Sequence, residues 1–367
     1  MVSVASTVWS KFTGVAGLVA TPLVPSHYIQ LFRPLAVSHT RQARVEAVLD
    51  EVPGVRTLVL RPSRGWRTHK PGQHVRVGLA IAGRVATRTY SISSSPDRRD
   101  GCFEITVKAQ GRVSNALLAS PIGNLLAISE ATGTFVMPEG APIRALFITA
   151  GSGITPIASM MRSLASRGAM PDVVHVHFTR TPSEHIFGEE LQGISDRHPS
   201  YRRVTIYTSD DSRRFCAAWL TELVPDWRER EAWACGPQGL LDAIAADFTQ
   251  VGRAHALHVE RFRAALAVLP ANASGGRVTF TTTAKSAKSA KSAKSAIADA
   301  ATSILRVAEE AGLAPAHGCR MGICHTCDAS LVSGCVRDLR TGATIDEPGA
   351  RVQICVCAAA GDVELAL

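Results

Sequence analysis

His317-Gly-Cys-Arg-Met-Gly-Ile-Cys-His-Thr-Cys-Asp328 decides the reading of this chain, because it sets Cys319, Cys324 and Cys327 at a C-x4-C-x2-C spacing. Three thiolates from one short loop suit a two-iron, two-sulfur cluster, and Gly318 and Gly322 let that loop turn tightly and offer amides to the sulfurs. Such a cluster needs a fourth thiolate. Val352-Gln-Ile-Cys-Val-Cys-Ala358 supplies it, and the spacing leaves Cys355 and Cys357 both open. Structural zinc is the competing reading, but zinc sites present two separated cysteine pairs rather than a triplet followed by a distant single.

Outward from this loop, the other cysteines fall into two groups. Cys102, Cys216 and Cys235 are scattered, whereas Cys335, Cys355 and Cys357 crowd the same C-terminal stretch as the triplet. That distribution points to a metal site in a reducing compartment, not a disulfide framework. Upstream, Ala271 to Gly276 is rich in small residues and reads as a linker into a unit that opens with the strand Arg277 to Thr281. Ala284 to Ala296 then repeats Ala-Lys-Ser, a period that keeps the lysines on neither one helix face nor one strand face. It is expected to be a solvated insertion in a hairpin loop, with partner docking through the lysines as the second option.

Further back, Gly151-Ser-Gly-Ile-Thr-Pro156 follows the buried-type run Ala145 to Ala150 and precedes the helical pattern Ile157 to Leu164. Strand-like runs at Val173 to Phe178, Arg203 to Tyr207 and Ala232 to Cys235 alternate with helical stretches, as in a doubly wound parallel α/β sheet. From Ala43 to Val136 the text changes to short β runs, Arg44 to Leu49, Val55 to Leu60, His74 to Leu79 and Phe103 to Val107, punctuated by Pro-Gly and Pro-Asp pairs. That pattern predicts an antiparallel β-barrel. The expected division is therefore an extension over 1–40, a barrel over 41–140, a nucleotide domain over 141–265, a linker over 266–276 and a cluster domain over 277–367.

The chain has 367 residues, 46% hydrophobic and 19% charged, a globular composition long enough for two or three cores. Its formal charge of +9 would draw it to any acidic partner. No stretch interleaves Arg or Lys with stacking aromatics, which excludes a nucleic-acid groove. Phe12 to Val24 is apolar but interrupted by Thr21 and Pro22 and shorter than the roughly 20 residues a span needs. It is expected to be a docked helix, with a membrane-surface anchor as the alternative.

These modules, in this order, resemble the ferredoxin–NADP reductase superfamily with a plant-type (β-grasp) ferredoxin domain at the C-terminus. Arg88-Thr-Tyr-Ser91 resembles that family's R-x-Y-S signature. The resemblance implies that Arg88 pairs with the FAD pyrophosphate, Tyr90 packs on the isoalloxazine and Ser91 lies near its N5. It also makes Gly111 and Ser114 a second flavin segment, which favours FAD over FMN. Gly151, Gly153, Thr155 and Pro156 match the G-x-G-x-T-P element that receives NAD(P)H. Cys235-Gly236-Pro237 resembles the Cys-Gly-Pro whose thiol meets the nicotinamide, and Glu260-Arg-Phe262 resembles the family's acidic-x-aromatic ending. Ser91, Cys235 and Glu260 are then the expected catalytic groups. NADPH is the expected nucleotide, with Arg180, Arg213 and Arg214 as candidates for its 2′-phosphate, while Asp210 and Asp211 keep NADH open. In ferredoxin domains an Asp follows the last ligand by seven positions, and Asp362 does so after Cys355, which assigns Cys355 and leaves Cys335 and Cys357 as ordinary thiols.

More narrowly, Pro25-Ser-His-Tyr-Ile, Leu31-Phe-Arg-Pro-Leu and Val336-Arg-Asp-Leu-Arg-Thr-Gly342, with the cluster loop, resemble actinobacterial-type reductase partners of membrane stearoyl-CoA desaturases. The implied reaction carries electrons from NADPH through FAD and the cluster to a membrane di-iron desaturase. A reductase component of an oxygenase or hydroxylase is the alternative, and a redox-sensing iron–sulfur binding protein is the third. The expected location is the cytoplasm, with peripheral contact at the inner face of the plasma membrane.

Overall fold

The computed structural model describes residues 41–367 apart from 82–83, 139, 141, 211–214, 216, 263–268, 271, 282–292, 319, 321 and 323–324. The expected extension over 1–40 lies outside the described residues. The chain divides into two compact units, Met1–Val85 with Tyr90–Arg213 and Ala86–Thr89 with Arg214–Leu367.

The first unit opens with β1 (Gln42–Val52), β2 (Val55–Pro62), β3 (His74–Ile81), β4 (Arg84–Ser91), β5 (Phe103–Lys108), helix α1 (Arg112–Leu118) and β6 (Leu125–Ile128). The strands form one sheet in the order β4-β3-β6-β1-β2-β5. β1 with β2, β1 with β6, β3 with β6 and β2 with β5 pair antiparallel, the last from Val55 opposite Lys108 to Leu60 opposite Phe103. Val45, Leu58, Leu60, Val75, Val77, Ile105 and Val107 are fully buried, so the inward residues of each strand make the barrel core.

Next come β7 (Arg144–Ala150), α2 (Ile154–Arg167), β8 (Asp172–Thr179), α3 (Gly188–Arg197) and β9 (Tyr201–Tyr207). β7 pairs with β8 and β8 with β9, both parallel and unbroken from Arg144 opposite Asp172 to Thr179 opposite Tyr207. β8 is buried along its length after Asp172, as expected of a strand covered on both faces.

In the second unit α4 (Ala217–Leu223), β10 (Glu231–Cys235), α5 (Gln238–Gln250) and β11 (Leu257–Glu260) continue the same alternation, with β10 and β11 parallel. The cluster domain follows as β12 (Gly276–Thr281), β13 (Ala293–Ala298), α6 (Ile304–Glu310), β14 (Asp328–Asp338), β15 (Thr344–Ile345), β16 (Arg351–Gln353) and β17 (Cys357–Ala366). Its sheet runs β13-β12-β17-β14-β15, with β16 against β14. β12 and β17 are parallel while β13 and β14 flank them antiparallel. Ile304, Leu305, Val307 and Ala308 of α6 pack with Val278, Phe280, Val363 and Leu365 of that sheet.

The lysine repeat needs a correction. Ala293 to Ala296 is not loop but the first part of β13, paired from Ala293 opposite Thr281 to Ala296 opposite Val278. β13 is an edge strand and exposes Lys294 and Ser295. Strand formation there needs only backbone bonds to β12, so the repeat's lack of alternation does not prevent it, and an edge lysine blunts further pairing. The rest of the repeat lies outside the described residues.

Candidate functional site

On the barrel side, Ser91 ends β4 and is buried, Tyr90 and Arg88 are half-buried, and Arg88 Nη1 donates to the Thr87 carbonyl at 2.7 Å. Gly111 is the N-cap residue of α1. The Ser114 hydroxyl donates to the Gly111 carbonyl at 2.9 Å and accepts from the amides of Gln110 and Gly111 at 2.9 and 3.0 Å. Ser114 therefore shapes the turn with its hydroxyl, and the amides of Arg112 and Val113 are what the helix start presents. The space beside Gly111 is open, as it is beside Gly151, whose φ of 53° is the left-handed conformation that favours glycine. Gly151 to Gly153 form a single 3-10 turn leading into α2, and the Thr155 hydroxyl donates back to the Ser152 carbonyl at 3.0 Å. Thr155 and Pro156 are buried in the first turn of α2. An open, glycine-lined helix entrance fits a phosphate-bearing cofactor. Arg180 is exposed and sits 3.6 Å from Glu184, while Arg213 and Arg214 lie outside the described residues.

In the second unit, parallel pairing places Cys235 directly opposite Glu260. Cys235 is fully buried, and burial with the Glu260 charge beside it pushes its thiol well above the ordinary range. Burial also raises the Glu260 carboxyl to about 7. Gly236 turns the chain from β10 and Pro237 caps α5. Phe262, two residues past β11, is 39% exposed.

Of the cluster cysteines, Cys319 and Cys324 lie outside the described residues. Cys327 and Cys355 are buried together in the ferredoxin core, and their side chains are hydrogen-bonded, which holds the Cys327 thiol below its ordinary value. Cys355 is in the turn between β16 and β17, whereas Cys357 is already in the β17 ladder opposite Asp338. Burial pushes the Cys357 thiol up to about 12. A turn residue's side chain is not tied to the strand alternation, whereas a ladder residue's is fixed to one face of the sheet. Arg340 holds the loop from below: Nη1 donates to the Gly322 carbonyl at 2.8 Å, Nη2 donates to Asp338 at 2.6 Å, and a Cβ on Gly322 would collide with the guanidinium. Two clustered thiols beside a clamped loop fit an iron–sulfur cluster. Thr87, which groups with this unit, has its hydroxyl 3.5 Å from the His317 carbonyl.

Comparison with known proteins agrees with this assembly. An oxidoreductase FAD-binding domain matches residues 60–137, an oxidoreductase NAD-binding domain 147–246, and a 2Fe-2S iron-sulfur cluster binding domain 289–360. An NADPH oxidoreductase of Mycobacterium tuberculosis is 41% identical over 97% of this chain and 92% of its own length. The chain belongs to the ferredoxin–NADP reductase superfamily with a C-terminal ferredoxin domain. A glycine betaine monooxygenase reductase subunit of Chromohalobacter salexigens is 31% identical over 78% of the chain and 84% of its own length. The crystal structure of phthalate dioxygenase reductase matches over 89% of this chain and 97% of its own, with a TM-score of 0.61 at 23% identity, and so shares the fold.

The reductase also contains polar groups that no motif announced. His175 and His177, both buried on β8, share the Thr149 hydroxyl at 2.7 Å each, and His175 Nδ1 lies 3.0 Å from the Tyr201 hydroxyl. Burial depresses both imidazoles, His175 to about 3, so they stay neutral. Their His-x-His spacing was visible, but only parallel register puts Thr149 between them. A second group, around Glu104 and Arg162, joins β5 to α2. No helix among the described residues is long and apolar enough to cross a membrane. Chemically, the reductase uses NAD(P)H, FAD and a two-iron cluster. The flavin supplies the change from paired to single electrons, and the cluster carries them singly.

Proposed function

We propose that this reductase delivers electrons from NADPH, through FAD and the cluster, to a membrane di-iron acyl-CoA desaturase. The reading is carried by the length of one match: the Mycobacterium tuberculosis NADPH oxidoreductase aligns over 97% of the chain, so it takes in most of residues 1–40, which hold two of the four segments that carry the desaturase-partner resemblance. The basic balance of +9 supports work near an anionic surface.

In this reading Arg88 and the α1 entrance at Gly111 hold the flavin phosphates, with Ser114 fixing that turn, and Tyr90 covers the ring. Gly151, Gly153, Thr155 and Pro156, with Gly236 and Pro237, receive the nucleotide, Arg180 and Arg213 reach its 2′-phosphate, and Phe262 faces the flavin. Cys235 borders the nicotinamide without ionising, since its thiol is held protonated. Glu260, half-titrated near neutrality, holds or gives up a proton beside it. Cys319, Cys324, Cys327 and Cys355 ligate the irons.

Reconstitution tests it. With NADPH, desaturase-containing membranes and stearoyl-CoA, the intact protein should form oleoyl-CoA, and a flavin-retaining Cys324→Ser variant should not. Two relatives are named as reductase subunits, of glycine betaine monooxygenase and of stachydrine N-demethylase, which favours an oxygenase as the second reading. Electron delivery to an oxygenase but to no desaturase would put that reading first.

A further inference from the structure

Helix α2 carries a polar stripe on an otherwise buried helix, and every member of it is bonded to one short piece of the barrel within the first unit. Ser159 donates to the Ser94 carbonyl at 2.6 Å, and the same carbonyl accepts from His69 Nε2 at 2.9 Å. Arg162 Nη1 donates to the Ser93 carbonyl at 2.8 Å and to Glu104 Oε2 at 2.9 Å. Its other edge grips Glu190 of α3 with two bonds of 2.7 and 2.6 Å, and its guanidinium lies 4.6 Å from the centre of the Phe187 ring. Ser163 donates to Asp97 at 3.1 Å, and Arg167 donates to it through two nitrogens at 2.8 and 3.0 Å. Positions 159, 162, 163, 166 and 167 share one face of the helix.

Arg162 is the centre of this seam. Its side chain is 16% exposed and that of Glu104 is 9% exposed, so the pair is shielded from the water that weakens surface ion pairs. Arg98 meets the other oxygen of Glu104. A buried pair of this kind adds little net stability over apolar packing, but it has only one satisfied arrangement. The seam also lies beside the reacting groups. Ser93 follows Ser91 by two residues, about 7 Å of strand, and Ser159 follows Thr155 by one helical turn, about 6 Å.

We propose that Arg162 is a positioning residue for hydride transfer: by joining Ser93 and Glu104 of the barrel to Glu190 and its own helix, it sets the separation between the strand end bearing Ser91 and the helix start bearing Thr155. The inference rests on the proposed roles of those two residues. The nucleotide loses a hydride and the flavin gains it, and the rate of that step falls steeply with a misplacement of about 1 Å.

The test compares Arg162→Met, Arg162→Lys and Ser159→Ala with the wild-type holoenzyme. Flavin bleaching by saturating NADPH in a stopped-flow instrument should slow by about 100-fold in Arg162→Met, with NADPH affinity and flavin content unchanged, and Arg162→Lys should recover part of the rate. Hydrogen exchange, with flavin bound and removed, should show faster amides over 93–104 and 155–167 in Arg162→Met and unchanged amides in the ferredoxin domain. If Arg162→Met loses its flavin on purification, Ser159→Ala, which removes one hydroxyl and no charge, must show a several-fold slowing. Bleaching within twofold of wild type in the variant that keeps its flavin overturns the proposal. A wild-type flavin that NADPH does not bleach would instead overturn the functional reading, and unchanged exchange would then overturn the seam separately.

Discussion

Replacing Glu260 by Gln should abolish a pH dependence that the fold builds into β11. The carboxyl titrates at about 7 instead of 4.5 because burial penalises its charged form. A carboxyl whose folded value is raised favours the folded state fully below its unfolded value, and that advantage is lost as pH rises through the folded value. The window is therefore pH 4.5 to about 7. The difference between those two values, at 1.36 kcal/mol per unit, is roughly 3 kcal/mol at most. At pH 4, below the unfolded value, the protonated wild type and the neutral Gln variant should unfold at nearly the same urea concentration. At pH 8.5 the variant should be the more stable, by about 2–3 kcal/mol. Taking the difference between the two proteins at each pH cancels the buried histidines, whose titration they share. Carbon-13 labelling of glutamate gives an independent reading, a resonance titrating near neutrality in wild type and missing from the variant. A stability difference that stays flat from pH 4 to 8.5, or a Glu260 resonance titrating near 4.5, would refute the argument that desolvation governs this group.

Three further outcomes follow from the same geometry. Cys355→Ser should prevent stable cluster assembly while Cys357→Ser spares it, because Cys355 is in a turn bonded to Cys327 and Cys357 is fixed opposite Asp338; iron and acid-labile sulfide analysis decides, and the reverse pattern would move the assignment. Cys235→Ala should slow flavin reduction by NADPH at least tenfold with full flavin content, since that thiol lies opposite Glu260 and its proposed place is at the nicotinamide, not at the flavin phosphates; equal loss of flavin would contradict this. Deleting Ala284 to Ala296 removes the first four residues of β13 and their pairing with β12, so the visible absorbance of the cluster should fall while NADPH still bleaches the flavin, and a fully retained cluster would show that the edge strand is dispensable.

The sequence by itself determined what local patterns encode. Cysteine spacing at 319, 324 and 327 announced the cluster, because one loop must supply three ligands. Apolar runs marked β1, β2, β3, β5, β7, β8, β9, β10 and β12, since burial of one face or both leaves a period that can be counted, and β2, β5 and β7 were expected within two residues of where they lie; β4, β6, β11 and the strands after β12 were not read from the sequence. The glycine turn at 151 and the resemblance at Arg88 to Ser91 named the modules. Tertiary structure decided what depends on residues distant in sequence. Cys355 and Cys357 have the same chemistry in the text, and only the end of β16 and the start of β17 separate a turn thiol from a ladder thiol. Glu260 becomes a neutral-range acid because the fold buries it, and Glu104 meets Arg162 across 58 positions. The last repeat of Ala-Lys-Ser became a strand because β12 offered it an unpaired edge. Each of these outcomes is a matter of which backbone lies alongside, and desolvation and register are set by that neighbour, not by the residue's own surroundings in sequence.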